Sequence, residues 1–157
     1  MDTPSPPPGI LVAGHFDAAP GYATWRPGGT RDWLITYTLA GMGRYRSGGA
    51  PIMVEPGDVT VLPPGVPHDY AVPPEGRWEF VWAHFLPRPN WLPWLQLPTV
   101  AGGLSLLTIS SPTTRTRIAT AFGQLVIDAR AARAHGALAE ELALNALEEV
   151  VLLCAQE

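Results

Sequence analysis

Residues 57–68 decide the fold: Gly57-Asp58-Val59-Thr60-Val61-Leu62-Pro63-Pro64-Gly65-Val66-Pro67-His68. Glu55-Pro56 leads into Gly57, which tolerates the positive φ of a tight turn, and a short β-prone run follows. Pro63-Pro64-Gly65 then reverses the chain, proline presetting φ and glycine accepting the left-handed position, before a second run begins near His68. Working outward, turn clusters recur at Pro27-Gly28-Gly29, Gly41-Met42-Gly43 and Ser47-Gly48-Gly49. The segments between them predict strands at 33–39, 43–47, 51–54, 58–62, 67–72 and 77–86. Short strands with turns at this frequency indicate a sandwich or barrel.

The composition changes near residue 110. Every proline but Pro112 and all six tryptophans precede it, and Ala, Leu and Glu at helical spacing follow. Ser111 as N-cap and Pro112 at the first helical position open a helix. Its buried stripe is Ile118, Ala121, Phe122, Leu125 and Ala129. Gly136 separates it from a second helix with two apolar faces. Ala143, Leu147, Val150 and Cys154 form one face, expected against the domain; Leu138, Leu142, Asn145 and Leu152 form the other. Two apolar faces need two partners. An Asn among leucines at this spacing either fixes the register of a coiled-coil partner or bonds locally in a helix buried within one chain.

At 157 residues the chain has room for one domain, and 46% hydrophobic against 15% charged residues excludes long disorder outside the ends. No apolar run approaches the length of a membrane span, and the start resembles no signal peptide, so a cytoplasmic protein is expected. A net charge of −4 gives little pull on phosphates, so this segment is not expected to bind DNA alone. The single Cys154 excludes an internal disulfide and reads as a small core hydrophobe.

The stretch 57–68 resembles the second cupin motif, G-x5-P-x-G-x2-H. In metal-dependent cupins its His joins two His and a Glu from an earlier strand, expected here within Ile35–Tyr45, where neither residue type occurs. His15, His84 and His135 lie in unrelated segments, so no metal and no cofactor are expected. His68 reads as a strand-end residue orienting its neighbours. Aromatic residues suggest a pocket instead: Trp25, Trp33, Tyr70, Phe80 and Trp82 fall on or beside different strands, with Arg26 following Trp25. Aromatic faces stack on sugar C–H faces and a guanidinium offers fixed donors; the same aromatics also serve as plain core.

Leu11-Val12-Ala13-Gly14, Arg26-Pro27, Thr38 to Gly43, Pro56 to His68, Phe85 to Trp91 with its continuation to Leu95, and Glu141 to Glu148 together resemble the regulatory domain of AraC-type transcription regulators. The likeness spans residues 8 to about 155. It implies an α+β chain: a flexible N-terminal arm (1–9), a cupin-like jelly-roll β-barrel (10–110) binding a small sugar such as L-arabinose, and a helical dimerisation segment (111–157). The second helix would form an antiparallel coiled-coil homodimer through Leu138, Leu142, Asn145 and Leu152. By the same resemblance Arg26 and Tyr70 contact the sugar, Trp82 stacks on it, and Pro8 belongs to an arm closing over it. That arm is either a lid ordered by binding or a disordered terminus. Two family positions depart, a histidine appearing as Phe80 and a threonine as Phe16, which removes hydrogen-bonding groups and adds apolar surface. The helix-turn-helix module that would bind DNA does not follow, so the chain reads as part of a longer regulator without catalysis. The rival is a metal-independent cupin enzyme, a sugar isomerase or epimerase using His68, Tyr70 or His84 as acid or base.

Overall fold

The computed structural model describes the backbone of residues 1–6 and 11–157, and every side chain of these except that of His135. Ten strands run in chain order: β1 (Leu11–Ala18), β2 (Ala23–Arg26), β3 (Trp33–Gly41), β4 (Gly43–Tyr45), β5 (Ile52–Val54), β6 (Asp58–Leu62), β7 (His68–Ala71), β8 (Trp78–Phe85), β9 (Thr99–Ala101) and β10 (Leu104–Thr108). A 3₁₀ segment (Pro89–Leu95) interrupts them, and α1 (Pro112–His135) and α2 (Ala137–Gln156) close the chain. One sheet has the order β1-β8-β3-β6-β10-β9, the other β2-β7-β4-β5, and all pairings are antiparallel. The strands at β1, β2, β9 and β10 are additions to the six expected from turn spacing.

Alternation along the six-stranded sheet separates two interiors, because side chains on a strand point to opposite faces in turn. Ile35 and Tyr37 of β3, Val59 and Val61 of β6, and Val81, Ala83 and Phe85 of β8 face the helices. There they meet Ile118, Phe122 and Leu125 of α1 and Leu147, Val150, Val151 and Cys154 of α2. The Phe122 ring stacks on Tyr37 at 6.5 Å and 9°, and burial pushes the Cys154 thiol up to about 12, as suits a core hydrophobe. Leu34, Leu62, Trp78, Phe80 and Leu104 point the other way, toward Tyr45, Val54 and Tyr70 of the smaller sheet.

The motif at 57–68 behaves as its residues dictate. Gly57 has φ +96°, and a Cβ there would lie 2.5 Å from the Arg115 guanidinium carbon. Arg115 Nε donates to the Ile109 carbonyl, so the glycine both turns the chain and admits the arginine that ties α1 to the sheet. Asp58 accepts from the Glu55 amide at 2.8 Å and the Thr108 hydroxyl at 2.6 Å, closing the turn and fixing β10. Ser111 accepts from the Thr114 amide at 3.3 Å, and Gly136, at φ 83°, ends α1. The 3₁₀ segment seats α2: Trp91 is fully buried and its indole N–H donates to Glu148 at 2.6 Å. Arg88 caps that ring at 5.7 Å and bonds Glu141 at 2.8 Å.

Candidate functional site at one end of the barrel

β2 pairs with β7 so that Arg26 sits opposite His68, and Trp82 and His84 approach from β8 across the interior. The guanidinium donates from Nη1 to His68 Nδ1 at 3.1 Å and from Nε to the Pro4 carbonyl at 3.1 Å. Because arginine only donates, Nδ1 accepts, and the imidazole proton resides on Nε2. The Nε2 atom is buried and has no partner among the described residues, and neither has the buried indole Nε1 of Trp82. Burial, reinforced by the charges of Arg26 and His84, pushes the His68 pKa down to about 4, so the ring is neutral at pH 7.

A second pair lies alongside: His84 Nδ1 is 3.0 Å from Asp32 Oδ1, with the His68 and His84 rings 6.2 Å apart. Burial pushes the Asp32 carboxyl up, but hydrogen bonds from His84 and Thr30 outweigh it and hold the group below its usual range. The turn at Pro63–Val66 closes this end. Gly65 donates to the Thr30 carbonyl at 3.0 Å, and a Cβ on Gly29 would stand 2.3 Å from the Val66 oxygen.

The apolar wall is built on β1 and β8. Gly14 is the register partner of Trp82, and its missing Cβ, which would be 2.5 Å from Trp82 Cζ2, lets the indole lie down over β1. Phe16 packs against Phe80 at 5.7 Å, Tyr22 at 5.8 Å and Trp82 at 5.3 Å. Phe80 is fully buried and stacks on Trp78 at 4.0 Å, forming the floor of the wall. Tyr70 is also buried, between Tyr45 at 5.2 Å and His68 at 6.3 Å.

The structure therefore brings together Arg26, Tyr70, Trp82, Phe80 and Phe16. Two expected pocket aromatics lie elsewhere. Trp33 faces the helix side and packs on Phe85 at 6.5 Å, and Trp25 is 44% exposed on β2, because its neighbours Thr24 and Arg26 take the inward positions. Pro8 lies outside the described residues. Nearer the N-terminus, Thr3 donates its amide to the Trp25 carbonyl at 2.6 Å and accepts from the Trp25 amide at 2.8 Å. A recess of about 1010 Å³ opens between Ser5 and Pro6, the loop Gly28–Asp32, Pro64, Gly65 and Leu86. Arg26, Tyr70 and Trp82 do not line it; Asp32 joins it to the His84 pair. The role of Asp32 was missed in the sequence because its partner lies 52 residues away.

On α2, Ala143, Leu147, Val150 and Cys154 are buried, whereas Leu138, Leu142 and Leu152 are 81%, 56% and 42% exposed. Asn145 is exposed with them and accepts a long bond, 3.4 Å, from Arg88 of its own chain. Among the described residues no helix is long and apolar enough to cross a membrane.

Residues 9–147 match the family described as AraC-like ligand binding domain. The arabinose operon regulatory protein of Escherichia coli is 30% identical over 128 residues, covering 81% of this chain and 42% of that protein. Its Salmonella typhimurium counterpart is 30% identical, covering 81% and 44%. This chain thus spans less than half the length of the curated relatives it matches. Among solved structures, apo ToxT from Vibrio cholerae has a TM-score of 0.51 at 9% identity, covering 74% of this chain and 48% of that one. A cupin-like protein from Thermotoga maritima has a TM-score of 0.40 at 23% identity, covering 48% and 55%.

Proposed function

Because the chain belongs to the AraC-like ligand-binding domain family, we propose that it is the ligand-sensing and dimerising part of a transcription regulator. The observation that carries this reading is the pair of buried, unpartnered N–H donors, His68 Nε2 and Trp82 Nε1, beside the Arg26 guanidinium. A buried donor left unmet costs about 1–3 kcal/mol, and a ligand that accepts from both recovers that cost. The names of the relatives point to a small sugar such as L-arabinose. In this reading it lies on Trp82, bonds Arg26 and Tyr70, meets Phe16 and Phe80 on its apolar side, and is covered by the arm through Pro8.

Dimerisation uses the exposed stripe Leu138, Leu142, Asn145 and Leu152 of α2 in an antiparallel coiled coil. Ligand-dependent docking of the arm on β2 then changes what the dimer presents to a DNA-binding unit in the full regulator, through contacts that differ between the two states. Trp82→Ala and Arg26→Ala are each expected to abolish ligand-induced stabilisation by a panel of pentoses and hexoses while the dimer persists in sedimentation. Retained stabilisation in both variants would remove this site. Leu142→Asp should yield monomers that still bind.

The His84–Asp32 pair favours a second reading, since a carboxylate that orients an imidazole is the arrangement of a general base. A metal-independent sugar isomerase or epimerase would convert a bound sugar, and chromatography of the incubated panel decides it: recovered, unconverted sugar supports the sensor.

A further inference from the structure

We propose that Arg26 and His68 form a latch that holds the N-terminal arm on β2 and that acid releases, because the proton that would charge His68 enters at the one nitrogen the latch occupies.

The latch is a single guanidinium working in two directions. Arg26 Nε donates to the Pro4 carbonyl of the arm and Nη1 to His68 Nδ1, each at 3.1 Å. The arm is also held at Thr3, whose amide donates to the Trp25 carbonyl at 2.6 Å and whose hydroxyl accepts from the Trp25 amide at 2.8 Å. That hydroxyl bond is exposed, and a bond that competes with water brings little net gain. The arm therefore leans on Arg26, and Arg26 is placed by His68.

Neutral His68 carries its proton on Nε2, so the ring can take another only at Nδ1. An N–H there faces a group that can only donate, and the Arg26 bond cannot coexist with it. One of the two has to leave. His68 is fixed in β7 with no exposed surface, whereas Arg26 is half-buried and its long side chain can turn to water. The groups around the ring do not rescue the charged form. Arg26 from β2 and His84 from β8 oppose it, Tyr70 of its own strand brings only a phenol ring at 6.3 Å, and Asp32, which favours it, is engaged by His84 at 3.0 Å.

Docking of the arm and charge on His68 thus exclude each other. Acid releases the arm while the sheets stay paired, and by linkage an undocked arm makes His68 easier to protonate. Because burial and the neighbouring charges depress the His68 value, docking is at full strength above the ordinary histidine value of about 6.5 and weakens as the pH falls toward 4. The latch stands on the contacts of the arm and not on any ligand, so it and the ligand-sensing reading fail separately.

Amide hydrogen exchange reads the latch, since the Thr3 and Trp25 amides are held by arm bonds. Corrected for intrinsic exchange, their protection is expected to fall at least about tenfold between pH 7 and pH 5 while amides of β3 keep theirs. His68→Gln offers Arg26 a carbonyl that does not titrate and should hold the protection level across that range. Protection that stays constant in the wild-type chain, that falls together with the β3 amides, or that falls as much in His68→Gln overturns the latch. Thr3→Pro removes both Thr3 bonds without touching the sheets and supplies the reverse measurement. Followed by its ¹³C resonance, the His68 ring should titrate at least about one pH unit higher in Thr3→Pro than in the wild type, a tenfold coupling. Equal midpoints overturn the proposal even where His68→Gln does not fold.

Discussion

The six-stranded sheet has an apolar interior on each face, and the two are finished differently. On the helix side the polar atoms of the large residues are met: Trp91 N–H has Glu148, and Tyr37 O–H donates to the Arg115 carbonyl at 3.4 Å. Between the sheets the polar atoms are met at one end and not at the other. Trp78 N–H donates to Thr38 at 3.1 Å and Thr60 to Tyr45 at 2.9 Å, yet a few residues along β8 and β7 two donors go unmet among the described residues. One sheet thus carries a face whose buried donors are met and a face where two are not, and it is on the second that the proposed ligand site lies. Natural sequences keep local rules everywhere except where function needs the exception.

Substitutions on the two faces should separate accordingly. The largest effect belongs to Phe122→Ala, which empties the space against Tyr37 and should cost about 3–5 kcal/mol in urea unfolding without altering ligand preference. Trp82→Ala should cost clearly less, since its indole N–H has no partner to lose, while abolishing binding. Equal losses would erase the distinction.

Next in size is a pH effect confined to the incomplete face. An unfolded histidine titrates near 6.5 and folded His68 near 4, so between these values the unfolded chain holds the extra proton. Stability is full above pH 6.5 and falls as the pH drops toward 4, by about 3 kcal/mol in all. His68→Gln should flatten this window. The Asp32 contribution, from a depressed carboxyl, disappears only at still lower pH.

Smaller still, Gly14→Ala places a methyl against the Trp82 ring and should cost about 1–3 kcal/mol, with an altered indole environment in near-ultraviolet circular dichroism. Ser111→Ala should cost about 1 kcal/mol by removing the α1 cap and leave binding untouched, a control on the helix side.

Legibility in the sequence follows the same division. The turn at Gly57, the cap at Ser111 and the break at Gly136 are local chemistry and were readable, as were the two faces of α2. Strand parity is legible too and places Trp33 on the helix side: Leu34 and Thr36 point inward, so their odd-numbered neighbours cannot. β1 interleaves His15 and Asp17 with Gly14 and Phe16 and so lacks an apolar run, and β9 and β10 are short strands around Gly102-Gly103. The Arg26–His68 and His84–Asp32 pairs join residues 42 and 52 positions apart. No local pattern encodes those contacts; only the assembled sheets do.

The most direct measurement is thermal unfolding of the wild-type chain and Trp82→Ala with saturating additions from the panel of pentoses and hexoses. A ligand at a hundredfold excess over its Kd adds about 2.7 kcal/mol, which for this size raises the midpoint by about 5–10 °C. The account expects that rise with a member of the panel in the wild type and none in Trp82→Ala. An equal rise in both proteins would place the ligand elsewhere and contradict it.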